Sequence, residues 1–184
     1  MRALAGIVLV LLVVAAAKLL PGVADPVTGR GTDRYEIRPG KGIGPVKLGM
    51  SRDEARHAMQ ARGQRVVSLD RGDPRPALAM HGNGFQVYFD AADRVHGVEV
   101  MRPYSAALRP GERLPFAAEL EDVDVFQTPA TDLVALVSRK TRLDPDSHDP
   151  GVTFEFPSIG LGFWREGIEH ARFFESVYVD RPNG

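Results

Sequence analysis

Two segments of this chain alternate apolar and non-apolar side chains with a period of two. In the first, Phe85, Val87 and Phe89 fall on one side, and Gln86, Tyr88 and Asp90 on the other. Residues 90–93 supply turn formers, and Val98 and Val100 return. In the second, Ile159, Leu161 and Phe163 share a face opposite Gly160, Gly162 and Trp164. Val177 and Val179 then return, with Phe174, Ser176 and Tyr178 opposite. A helix, with 3.6 residues per turn, cannot keep that period on one face, whereas a pleated strand must. The pattern therefore demands antiparallel hairpins with one face on a core. Shorter apolar runs at 65–69, 77–80 and 152–156 predict further strands.

A helix is predicted ahead of each hairpin. Ser51-Arg52-Asp53-Glu54 has the spacing of a capping box, in which the serine oxygen and the glutamate carboxylate satisfy free N–H groups at a helix start. That helix should run through Met59 and stop near Gly63. Further on, Thr128-Pro129 predicts an N-cap and a first-turn proline, with Leu133, Leu136 and Val137 on one face. Residues 98–103 and 177–182 share four of six positions, and the helix and strand segments align at an offset of 76–79. The expectation is an α+β fold: an antiparallel sheet with helices on one face, built from two tandem helix-plus-strands repeats at 40–103 and 122–182. A polar, Gly- and Pro-containing stretch at 25–39 reads as a tether, and residues 104–121 as a linker.

Composition divides the 184 residues unequally. Of the first 24, 19 are apolar and none is acidic; the remainder carries 21 basic and 24 acidic residues. Residues 3–23 would span roughly 32 Å as a helix at about 1.5 Å per residue, close to a bilayer core. Residues 1–24 therefore read as a signal peptide ending at Ala15-Ala16-Ala17, or as an uncleaved membrane anchor with Lys18 at the interface. Charge placement alone would keep the following domain cytoplasmic, since Lys18, Arg30, Arg34 and Arg38 lie after the run; a leader of this build would export it. Export to the bacterial cell envelope is the preferred expectation. The chain has no cysteine, which excludes disulfides, thiolate metal sites, cysteine nucleophiles and a lipid-modified cysteine. A net charge of −1 speaks against a nucleic-acid partner.

The opening Gly49-Met50-Ser51-Arg52-Asp53-Glu54-Ala55, followed by a helix and paired strands, resembles a small bacterial envelope module. That module occurs in the small lipoprotein of the outer-membrane assembly machine. In tandem it is similar to the secreted β-lactamase inhibitor proteins. The stretch Pro39-Gly40-Lys41-Gly42-Ile43-Gly44-Pro45, leading to Lys47-Leu48-Gly49-Met50, also resembles uncharacterised bacterial proteins of that build. The resemblance covers 39–103 well and 122–182 less, where Gln127-Thr128-Pro129 replaces Gly-Met-Ser. It implies a fold and a habit of protein binding. β-Lactamase inhibition does not carry over, because those inhibitors have disulfides.

No set of residues predicts catalysis, so the chain is expected not to be an enzyme. Gly40-Lys41-Gly42-Ile43-Gly44 lacks the Ser/Thr and the helix of a phosphate loop, and reads as a turn into a strand. Asp144, Asp146 and Glu155 match three positions of a calcium loop, but His148 and Asp149 fill the places of an oxygen ligand and the turn glycine. His57, His81, His96, His148 and His170 are scattered. No metal or cofactor is expected. Binding is instead assigned to the strand face turned from the core: Gln86, Tyr88, Glu99, Met101, Trp164, Phe174 and Tyr178, with Gly160 and Gly162 allowing close backbone approach. The expected function is a non-enzymatic, membrane-tethered or exported module that binds a protein partner with this exposed face. Alternatives are an immunity-type protein neutralising a toxin, or, in a different class, a hydrolase or small-ligand-binding protein with a site assembled by the fold.

Overall fold

The computed structural model describes residues 33–63, 65–69, 77–80, 84–102, 116–144, 151–166 and 172–182. The leader at 1–24, most of the tether, and residues 104–115 of the linker lie outside them. Among the described residues no helix is long and apolar enough to cross a membrane.

Among the described residues the fold is mostly β, in two sheets with two short α-helices, rather than the expected α+β arrangement of two helix-plus-strands repeats. The strands are β1 (Asp33–Arg38), β2 (Gly42–Ile43), β3 (Val46–Lys47), β4 (Val67–Leu69), β5 (Ala77–Met80), β6 (Phe85–Phe89) and β7 (Val95–Met101). They continue with β8 (Phe116–Leu120), β9 (Val123–Asp124), β10 (Thr153–Phe156), β11 (Leu161–Trp164) and β12 (Ser176–Asp180). Helix α1 is Arg52–Gln60 and α2 is Ala130–Ser138. One sheet has the order β3-β2-β1-β8-β9, the other β10-β11-β12-β7-β6-β5-β4.

The correction comes from two segments that sequence reading left as connections. β1 lies inside the expected tether, and β8 inside the expected linker. Tyr35 and Ile37 of β1 are buried between exposed Arg34 and Glu36, a two-residue stripe too short to stand out among charges. β8 runs parallel to β1, with Tyr35 opposite Ala118 and Glu36 opposite Glu119. Arg34 Nη1 donates to Glu119 Oε1 across the pair at 2.6 Å. These strands build the centre of the five-stranded sheet, and Tyr35 meets Phe85 of the other sheet edge-on, ring centres 5.1 Å apart. Both sheets thus feed one core, in which neither expected repeat is self-contained.

The two hairpins do form, and they join. β7 pairs antiparallel with β12, with Val98 opposite Val179 and Val100 opposite Val177. The two similar six-residue segments found by sequence are therefore each other's partners at the middle of the seven-stranded sheet. Their valines all face the core. Phe163, Phe156 and Phe174 extend that core at one end, each buried ring contributing roughly 1.5–3 kcal/mol.

Helix α1 starts on the predicted capping box: Ser51 N donates to Glu54 Oε2 at 2.7 Å, and Glu54 N to Ser51 Oγ at 3.3 Å. The Ser51 N–H and hydroxyl, both donating to Glu54 Oε2, hold that carboxyl below its ordinary range. Ala55 and Met59, four residues apart, are its buried stripe. Helix α2 differs from expectation at its start. Pro129, not Thr128, is the N-cap and no side chain caps it; the Ala130 N–H instead donates to the Arg172 carbonyl at 2.9 Å. Leu133 and Val137 are buried as predicted, with Leu136 only half-buried.

Candidate functional site

The pleat turns Gln86 and Tyr88 of β6, Glu99 and Met101 of β7, Gly162 and Trp164 of β11, and Ser176 and Tyr178 of β12 away from the core. Register places Glu155, Gly162, Tyr178, Glu99, Gln86 and Ala79 side by side in one row across six strands. Thr153, Trp164, Ser176 and Met101 form the next row. The sequence reading of which residues share this second face is thus correct for six of the seven assigned residues.

Phe174 is the exception. It precedes β12, where the backbone is not yet extended, so the period does not apply to it. Its ring is fully buried in the core and stacks on Phe163, centres 4.8 Å apart and 20° between planes. Gly160 is likewise not in the strand: it closes a turn of 3-10 helix at Pro157–Ile159, so the strand begins at Leu161.

The second correction concerns exposure. Gln86 and Glu99 are each only 2% exposed, Trp164 6% and Tyr88 7%. The expected bare face is mostly covered; Met101, Tyr178, Glu155 and Asp180 are its half-buried rim. Periodicity reports which side of a sheet a residue takes and nothing about what lies over it.

A buried polar network occupies the face. The Tyr88 hydroxyl lies 2.8 Å from Glu99 Oε2 and 2.9 Å from Gln86 Oε1. The single phenolic proton is the donor facing both acceptors, the Glu99 carboxyl and the Gln86 amide oxygen. Burial pushes the Glu99 carboxyl up, while Tyr88 and Ser176 pull it partly back. The Ser176 hydroxyl acts on that carboxyl from the neighbouring strand without making a hydrogen bond of normal geometry. Glu99 Oε1 and Ser176 Oγ are both buried with no hydrogen-bond partner.

Gly162 has a role that sequence reading missed. A β-carbon there would lie 2.1 Å from Cε1 and 2.2 Å from Cζ of Tyr178. The Tyr178 ring therefore crosses β11 over Gly162 and brings its hydroxyl to Glu155 on β10. The space under the glycine is filled by the protein's own ring and is not open to another backbone. Burial, then the Glu155 and Asp180 carboxylates, push the Tyr178 phenol up. Asp180, on the same face, is pushed up to about 6 by burial and by Glu155.

The other candidates stay apart from this face. Gly42–Ile43 is β2, hydrogen-bonded between β1 and β3, the expected turn into a strand. Of the calcium-like set, Asp146, His148 and Asp149 lie outside the described residues, and Glu155 is in β10. His57 is exposed on α1; His96 packs near Tyr88, centres 6.4 Å apart; His81, His148 and His170 lie outside the described residues. Among the described residues no three His, Cys, Asp or Glu side chains are placed to hold a metal ion. Comparison with family models, with curated proteins and with solved structures gives no match.

Proposed function

We propose that this chain is a binding module of the bacterial cell envelope, carried there by its apolar leader, and that it meets its partner through the second face of the seven-stranded sheet. Glu99 carries this reading. A buried polar atom left without a partner costs roughly 1–3 kcal/mol, and this face holds two, Glu99 Oε1 and Ser176 Oγ, on neighbouring strands. A sheet that served only as a scaffold would gain by apolar side chains at both positions. The half-buried rim of Met101, Tyr178, Glu155 and Asp180 is the approach to them. The burial of Gln86, Tyr88 and Trp164 narrows the contact from a broad flat surface to this rim.

The test is in-cell cross-linking and capture with wild type, Tyr178→Ala and Met101→Ala. A partner recovered with wild type and depleted with both variants supports the reading. Equal recovery from folded variants refutes it.

A further inference from the structure

The strand ends give the domain two poles of different chemistry. At one pole lie the starts of β4, β6, β10 and β12 and the ends of β5, β7 and β11. Five arginines stand there: Arg62 after α1, Arg65 before β4, Arg102 after β7, Arg165 after β11 and Arg172 before β12. All but half-buried Arg165 are exposed; three carboxylates, Asp33, Glu166 and Glu175, share the pole. Arg102 and Arg172 approach the half-buried Phe173 ring, 5.8 and 5.4 Å from its centre. Arg165 lies 5.4 Å from the centre of half-buried Phe154. β1 starts at the same pole: Tyr35 packs on Phe85, the first residue of β6, and Arg62 lies 6.0 Å from the Tyr35 ring centre. The far end of β1 reaches the opposite pole, where the Gly40 N–H donates to the Gly160 carbonyl at 3.4 Å. At that pole arginines pair with carboxylates: Arg52 with Asp93 at 2.6 Å, Arg181 with Asp90 at 3.6 Å and Arg94 with Glu54 at 3.9 Å.

We propose that the arginine pole docks on the anionic headgroups of the bilayer that holds residues 3–23, with the strands standing end-on to the membrane. This rests on the reading that the apolar leader carries the chain to the envelope, here as an uncleaved anchor, and adds how the domain sits there. Nine residues, 24–32, separate the apolar run from Asp33. Fully extended they reach about 32 Å, and as a coil about 17 Å. The seven residues of β7 put the opposite pole roughly 23 Å further from the point of entry. The tether therefore presents the arginine pole to the membrane. Cations near an anionic surface are attracted within a Debye length, roughly 8 Å at physiological salt. A guanidinium stacked on a ring keeps its planar fork of N–H donors, which matches a phosphate. The second face of the seven-stranded sheet then stands upright on the bilayer, open to a partner alongside.

The chain has no cysteine, so one dye at a time can be placed by Ala61→Cys, beside Arg62, or by Ala91→Cys, in the turn at the opposite pole. The full chain is reconstituted in vesicles of phosphatidylcholine alone, or of phosphatidylcholine with phosphatidylglycerol, each carrying an acceptor-labelled lipid. Energy transfer to the headgroups is then read. The expected result is stronger transfer from position 61 than from 91, and a rise at 61 with phosphatidylglycerol that salt reverses. Arg102→Gln and Arg172→Gln each lower the docked-to-free ratio about fivefold, whereas lysine at both positions retains most of the rise. Circular dichroism confirms that these variants are folded. Equal transfer from both positions, transfer indifferent to phosphatidylglycerol, or a folded double glutamine variant that behaves like wild type overturns the proposal. So does a chain recovered from cells with its N-terminus beyond Ala17, because the anchor is then lost. If docking fails while partner capture still depends on Tyr178 and Met101, the membrane orientation falls and the binding module stands; if capture is also indifferent to them, both fall.

Discussion

Replacing Gly162 by alanine probes the packing that builds the candidate site. The new methyl would sit 2.1, 2.2 and 2.5 Å from Cε1, Cζ and the hydroxyl of Tyr178, where carbon atoms normally approach to about 3.5–4.0 Å. The obstructing atoms are the far end of a side chain, so the ring moves and the backbone stays. Overpacking of this kind costs about 1–3 kcal/mol. Alanine also offsets about 0.5–1 kcal/mol, because glycine is the poorer strand residue. The net loss is about 1–2 kcal/mol, or about 2–8 °C in melting temperature for a chain of this size. Gly97 is the internal control. It lies on the same face, and a β-carbon there meets its nearest atoms at 3.8 and 3.9 Å, ordinary contact. Gly97→Ala should be neutral or gain a few tenths of a kcal/mol through the unfolded chain. Thermal unfolding by circular dichroism compares the two. In a Tyr178→Ala background the penalty at Gly162 should vanish, since the ring is gone. A Gly162→Ala protein as stable as Gly97→Ala, or a penalty that persists without Tyr178, would refute the placement of the ring over Gly162.

Two further outcomes follow from single groups. Ser51→Ala removes the Ser51 Oγ bond to Glu54 N and should lower stability by about 1 kcal/mol, measured by urea unfolding; no change would mean the capping box does not hold α1 in solution. Asp180 binds its proton more tightly folded than unfolded, with a folded value of about 6 against an ordinary 3.8. Its share of stability is therefore complete below about pH 4 and is lost as pH rises through about 6. Asp180→Asn should match wild type near pH 4 and exceed it by about 1–2 kcal/mol at pH 7.5, a figure reduced for solvent screening at a half-buried group. A constant difference between the two proteins across that range would contradict the assignment.

The parts of the fold that were legible in the sequence are those where one residue's neighbours decide the matter. The Ser51–Glu54 box and the alternation through Phe85–Phe89 and Leu161–Trp164 are of that kind. β1 was not, because its apolar stripe is two residues long and gains its meaning only from Phe85 and Phe116, distant in sequence. β8, Phe-Ala-Ala-Glu-Leu, has small residues where a strand pattern shows itself through large ones, and its parallel pairing to β1 has no local signal. The site divides the same way. Period two assigned Gln86, Tyr88, Glu99 and Trp164 to one face, but their burial depends on what covers the sheet. Phe174 failed because alternation was carried back beyond the start of β12 at Ser176. The unpaired oxygens of Glu99 and Ser176 are properties of assembled geometry, visible only once β7 and β12 are side by side.

The binding role of the second face is tested most directly by photo-cross-linking in intact cells. A photoreactive phenylalanine analogue is placed singly at Met101, at Tyr178 and, on the exposed surface just past α2, at Arg139. Adducts from positions 101 and 178, weakened by Glu155→Gln and absent from 139, are the predicted result. Adducts from 139 alone would place the partner on another surface and contradict it.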